Sequence, residues 1–123
     1  MESAFQETKS QFGPVDVLVS NAGNMSEPSQ IGKADVGGWW KGFEVNVKGA
    51  LILTQTFLAN CSEKAVLVNV TSGGAHIPAN ALGFSSYATS KLAATKLMEY
   101  VGVENPNVCL FPFSLPVYFV IKR

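Results

Sequence analysis

Tyr87 and Lys91 stand four residues apart in Tyr-Ala-Thr-Ser-Lys. On a helix that spacing puts both side chains on one face, one turn apart. A tyrosine hydroxyl can exchange a proton with a reacting oxygen, but a free tyrosine titrates at about 10, too high for ready exchange at neutral pH. A lysine cation one turn away favours the tyrosinate and brings that exchange within reach. Tyr87 is therefore a candidate general acid/base and Lys91 its electrostatic partner. The alternative is a half-buried aromatic beside a solvated lysine.

Three further places carry polar groups with a possible task. Ser72 follows an apolar run and precedes Gly73-Gly74, so its hydroxyl can project from a strand end and orient a substrate oxygen. Otherwise it is a turn serine bonded to local backbone. Thr71, Ser85 and Ser86 are competing hydroxyls. Asn46 interrupts a helical pattern, where a side chain able to bond backbone is mildly unfavourable and asks for a reason. Asn21-Ala22-Gly23 ends another apolar run, and Gly23 permits close backbone approach. Trp39 and Trp40 read as core or interface, and His76, the single histidine, as a surface loop residue.

These residues need elements to position them. Residues 2 to 12 show near-helical spacing of Ala4, Phe5, Thr8 and Phe12, and Gly13-Pro14 stops the run. Val15 to Ser20 is short, β-branched and nearly all apolar, which suits a strand covered on both faces. Met25 to Gly38 is polar and glycine-rich, hence mostly loop. From Trp39 to Asn60 a broad apolar stripe predicts one long buried helix. Ala65 to Val70 repeats the character of the first strand, residues 86 to 101 are again helical, and Val108 to Phe111 reads as a third strand. Helix and strand thus alternate, which defines an α/β layer fold with a mostly parallel sheet. Ligands in such sheets sit beyond the carboxyl ends of the strands, where Asn21, Gly23 and Ser72 fall.

Size and charge narrow the class. The chain has 123 residues, 47% hydrophobic and 15% charged, enough for the core of one domain and too apolar for disorder. Nine basic residues balance nine acidic ones, so no net field favours nucleic acid or an anionic membrane. Cys61 and Cys109 lack zinc-site spacing and read as reduced, buried thiols, with no metal site expected. No secretory signal opens the chain, so a cytoplasmic location is expected. The apolar stretch from Val108 to Ile121 is short and broken by Pro112 and Pro116, so no membrane span is expected.

Taken together, Val-Ser-Asn-Ala-Gly at 19 to 23, Asn-Val-Lys-Gly at 46 to 49, Val-Asn-Val-Thr-Ser at 68 to 72 and Tyr-Ala-Thr-Ser-Lys at 87 to 91 resemble the short-chain dehydrogenase/reductase family. Each pattern is weak singly; four in order and at fitting intervals are specific. The resemblance covers roughly residues 2 to 111 and implies a partial Rossmann-like, doubly wound sheet with flanking helices. It implies an oxidoreductase with NAD or NADP as cofactor, moving hydride between the nicotinamide and a small-molecule alcohol or carbonyl. Under it, Asn46, Ser72, Tyr87 and Lys91 are the catalytic set, and Asn21, Ala22, Gly23, Tyr87 and Lys91 bind the cofactor. Lys91 would hold the nicotinamide ribose, and Asn46 would perturb its helix and hold a water linked to the lysine. The interval from Ser72 to Tyr87 is slightly long for the family, placing a small insertion near 76 to 82 beside the substrate.

The resemblance also marks what the sequence does not contain. The family's glycine-rich Thr-Gly-x-x-x-Gly-x-Gly turn, which cradles the pyrophosphate, is not present, nor is the residue that chooses between NAD and NADP. Residues 1 to 123 thus read as a partial nicotinamide-binding domain with a divergent tail from 112 to 123, a truncated chain. Because the family pairs through the long helix and the helix bearing Tyr and Lys, a homo-oligomer is expected. A second function is then a catalytically inactive partner of a full-length homologue.

Overall fold

The computed structural model describes residues 2–79 and 81–115. Helix α1 (Glu2–Phe12) ends at Gly13, whose φ of 90° carries the chain out of the helix while its N–H closes on the Lys9 carbonyl at 3.0 Å. Only glycine enters that left-handed region without cost. Strand β1 (Val15–Ser20) follows, then a loop to Asp35. Asp35 caps helix α2 (Val36–Phe43) by accepting the Gly38 N–H at 2.7 Å. Helix therefore begins three residues ahead of the apolar stripe, in Val-Gly-Gly, where propensity alone argues against it.

The long helix is not uniform. α2 passes into a π-helical segment (Glu44–Gly49) and then α3 (Ala50–Leu58). Strand β2 (Cys61–Ser72), helix α4 (Ser85–Glu104) and strand β3 (Cys109–Leu115) complete the described chain. The strands form one sheet in the order β1-β2-β3, all parallel, the α/β architecture expected from the alternation of elements. Both β2 and β3 run longer than their apolar cores. β3 continues through Pro112, opposite Asn69; a residue without an N–H is tolerated at the edge of a sheet. Residues 116 to 123, most of the divergent tail and including Pro116, lie outside the described residues.

The core lies where Phe5, Phe57, Leu67, Met98, Val101 and Val108 pack together. Phe57 and Leu67 are fully buried, and burial of such a side chain contributes about 1.5–3 kcal/mol. Along β2, Ala65, Leu67, Asn69 and Thr71 are buried while Val66, Val68 and Val70 are half-buried, the alternation of a strand with one face covered. β1 departs from the two-sided burial its sequence predicts: Val17 and Val19 are 57% and 55% exposed. In register with them across the sheet stand Val66, Val68 and Phe111. One face of the sheet is thus apolar and open within the described chain. Nor are both thiols buried: Cys61 is partly exposed and Cys109 exposed, both free.

Candidate active site

Because β1 and β2 are parallel, their carboxyl ends, Ser20 and Ser72, reach the same edge of the sheet. The first turns of α4 cross that edge and bring Tyr87 and Lys91 to it. Lys91 is only 6% exposed; its Nζ donates to the Val70 carbonyl at 3.0 Å and lies 6.0 Å from the centre of the Tyr87 ring. Burial holds the Lys91 ammonium below the ordinary lysine pKa, since desolvation disfavours the charged form. Ser72 Oγ is buried and, among the described residues, meets no hydrogen-bond partner. A buried hydroxyl without a partner costs free energy, and a ligand oxygen placed there removes that cost.

Asn46 is buried inside the π-helical segment, where the extra residue per turn bulges the helix. Its amide is fully used as a clamp. Nδ2 donates to the Asn24 carbonyl at 2.9 Å and to Ser90 Oγ at 2.8 Å, and Oδ1 accepts the Asn24 N–H at 2.7 Å. Ser90 Oγ in turn donates to the Tyr87 carbonyl at 3.0 Å. The loop after β1, the bulged helix and the turn bearing Tyr87 are therefore locked together. Gly23 completes this clamp by being small: a Cβ there would stand 3.1 Å from Lys91 Nζ and 3.5 Å from Asn46 Oδ1. Its φ is not positive, so close approach rather than conformation calls for glycine.

Two clefts meet at this point. One, of about 290 Å³, is lined by Asn21, Gly23, Val70, Ser72, Tyr87 and Lys91. The other, of about 410 Å³, shares Ser72 and Tyr87 and is otherwise walled largely by apolar side chains. Asn46 and Ala22 line neither. A third cleft, about 530 Å³ between the loop after β1 and α2, has none of the expected catalytic or cofactor-binding residues in its lining.

Sequence reasoning missed Ser90, although its place three residues after Tyr87 on a helix was the available signal. It missed Met25, an isolated apolar residue in a polar loop that lines all three clefts. It also missed the pairing of Thr71 Oγ1 with Thr95 Oγ1 at 2.9 Å and with His76 Nε2 at 3.3 Å, which ties the end of β2 to α4. Among the described residues no His, Cys, Asp and Glu cluster is arranged to hold a metal, and no helix is long and apolar enough to cross a membrane.

The sequence model of the short chain dehydrogenase family matches residues 1–107. The chain belongs to that family. A short chain dehydrogenase of Monascus purpureus is 38% identical over 107 residues, covering 85% of this chain and 36% of its own. Another, of Monascus ruber, is 36% identical over 117 residues, covering 94% of this chain and 38% of its own. The chain thus spans little more than a third of these short chain dehydrogenases. Among solved structures, a Serratia marcescens short-chain dehydrogenase/reductase variant superposes with a TM-score of 0.86 at 22% identity, over 99% of this chain and 56% of that one. An alcohol dehydrogenase from the archaeon Thermococcus sibiricus, complexed with 5-hydroxy-NADP, gives a TM-score of 0.81 at 24% identity, over 94% and 48%. At these identities the structures speak for the fold, which is the Rossmann-like fold of short chain dehydrogenases.

Proposed function

We propose that this chain carries the catalytic half of a nicotinamide-dependent oxidoreductase acting between an alcohol and a carbonyl carbon of a small molecule. The observation that carries this reading is the junction of the two clefts at Ser72 and Tyr87, with the buried Lys91 ammonium on one side of it. The residues fit a nicotinamide riboside. Asn21, Gly23, Val70 and Lys91 line one cleft of about 290 Å³, and the Lys91 ammonium offers hydrogen-bond donors to hydroxyls there. When bound, NAD or NADP supplies or accepts the hydride.

The chain's own groups do the rest. Ser72 Oγ orients the substrate oxygen by a hydrogen bond. The Tyr87 hydroxyl gives that oxygen a proton in reduction and takes it back in oxidation. Lys91 spends one donor on Val70 and has two more for ribose hydroxyls. Asn21 and Gly23 form the floor of the cofactor side, with Ala22 joining them outside its lining, and Asn46 fixes the loop and helix turn that present these groups. Titration of the purified chain with NADH and NADPH, followed by turnover of a carbonyl panel, tests the reading. Tyr87→Phe is expected to lower turnover by about 10²–10⁴; an unchanged rate would defeat the assignment.

A second reading is a noncatalytic partner of a full-length homologue. Trp40 on α2, Ile52 on α3 and Leu92 on α4 are 54%, 43% and 49% exposed, apolar side chains on the helices through which the family pairs. Co-expression with such a homologue is expected to give a mixed dimer, and two species that elute separately would remove this reading.

A further inference from the structure

The wall of the 410 Å³ cleft is built by two loops tied to each other. Ser29 N–H donates to the Gly83 carbonyl at 3.1 Å. Gly83 has a φ of +85°, and a Cβ there would stand 2.9 Å from Ser29 N and 3.0 Å from Pro28 Cβ. Both backbone conformation and space therefore demand glycine at this contact. Beside it Trp39 Nε1 donates to Ser85 Oγ at 2.9 Å, fastening α2 to the start of α4.

Mounted on this frame are Met25 and Ile31 from the first loop and Leu82 and Phe84 from the second. Met25, Ile31 and Leu82 are 58%, 76% and 80% exposed. Large side chains converging on one cleft while open to water are a surface that an apolar ligand covers favourably. The cleft's polar residues, among them Ser72 and Tyr87, are neutral, and among the described residues no Asp, Glu, Lys, Arg or His lines it. An anionic substrate would have to shed water there with no cation to replace it. The volume falls in the range of small-molecule sites.

We infer that this cleft selects a neutral, largely apolar ketone or secondary alcohol, with its oxygen at Ser72 and Tyr87 and its apolar body against Ile31, Leu82 and Phe84. Gly83 is the positioning residue that sets the spacing of the two walls. The inference rests on the role proposed for Ser72 and Tyr87, and it specifies what that pair acts on.

Saturation-transfer NMR on the purified chain, with 2-tetralone and a carboxylated tetralone as probes, tests it. The neutral ketone is expected to bind at least about tenfold more tightly than the carboxylate. Leu82→Asp, at an exposed position and so compatible with folding, is expected to weaken the ketone by about tenfold or more. Gly83→Ala, which leaves the apolar side chains Met25, Ile31, Leu82 and Phe84 unchanged but crowds Ser29 and Pro28, is expected to weaken it as well. No binding of the neutral ketone, equal binding of the carboxylate, or indifference to Leu82→Asp overturns the inference. Turnover separates it from the assignment beneath it. If Tyr87→Phe leaves turnover intact while the binding pattern holds, the proton-transfer role fails and the selectivity stands. If Tyr87→Phe abolishes turnover of neutral and carboxylated ketones alike, and both bind equally, the selectivity fails and the role stands.

Discussion

Gly23 lies directly against the ammonium of Lys91: a Cβ at Gly23 would stand 3.1 Å from Lys91 Nζ, the atom that holds the Val70 carbonyl. Gly23→Ala must push that ammonium by a few tenths of an ångström or give up part of the hydrogen bond. The cost in stability is expected to be about 0.5–1.5 kcal/mol, read by urea unfolding, with any nicotinamide affinity of the chain falling in parallel. An alanine variant equal to the parent in both respects would show that Lys91 does not depend on this contact.

Asn46 gives the corresponding test of the clamp. Asn46→Ala leaves the Asn24 N–H and carbonyl without their side-chain partners and removes a donor from Ser90. The loss is expected to be about 1–3 kcal/mol, with faster amide hydrogen exchange in residues 22–26 than in the parent. Asn46→Asp keeps the acceptor but not the two donors, so it should recover only part of the stability. Full recovery would assign the clamp to the Asn24 N–H alone.

How much of this was legible beforehand depends on the residue. Val15 to Ser20 and Ala65 to Val70 announced their strands because β-branched runs have few other uses, and Tyr87 and Lys91 announced themselves through helical spacing. The π-helical bulge at Glu44–Gly49 was hidden, since apolar residues at 43, 47 and 50 fit a bulged helix as well as a regular one. Asn46 was the only hint. Pro112 concealed the length of β3, because its cost vanishes at a sheet edge, and edge position is a tertiary fact. The alternation in β1 and β2 likewise could not say what covers each face. Val17, Val19, Phe111 and Phe113 are as apolar as the partly buried Leu18 and the buried Leu67, and only the placement of the helices separates the exposed set from the covered one.

The contact between α2 and α4 depends on Gly42. A Cβ there would collide with Ser86 Oγ, which donates to the Trp39 carbonyl. Gly42→Ala is expected to destabilise the chain by about 1–3 kcal/mol through overpacking, despite alanine's better helix propensity. Ser86→Ala removes the colliding atom, so the double variant should recover much of the loss. Simple additivity of the two changes in a double-mutant cycle would mean that the helices separate by another route.

Lys91 makes stability depend on pH in a direction its burial fixes. Desolvation lowers its pKa in the folded chain below 10.5, whereas unfolding returns the ammonium to water and to that ordinary value. Between the two values the unfolded chain binds more protons, so this residue's contribution to stability rises with pH across that window. Below the window both states are protonated and the full cost of the buried charge is present. Lys91→Met abolishes this dependence while imposing a constant change from the lost bond to Val70. Urea unfolding of the parent and Lys91→Met, each in a Tyr87→Phe background to remove the neighbouring hydroxyl, should therefore show the lysine form gaining on the methionine form as pH rises from neutral to about 10.5. A difference that stays constant over that range would mean that water reaches the ammonium and that its charge is not held out of solvent.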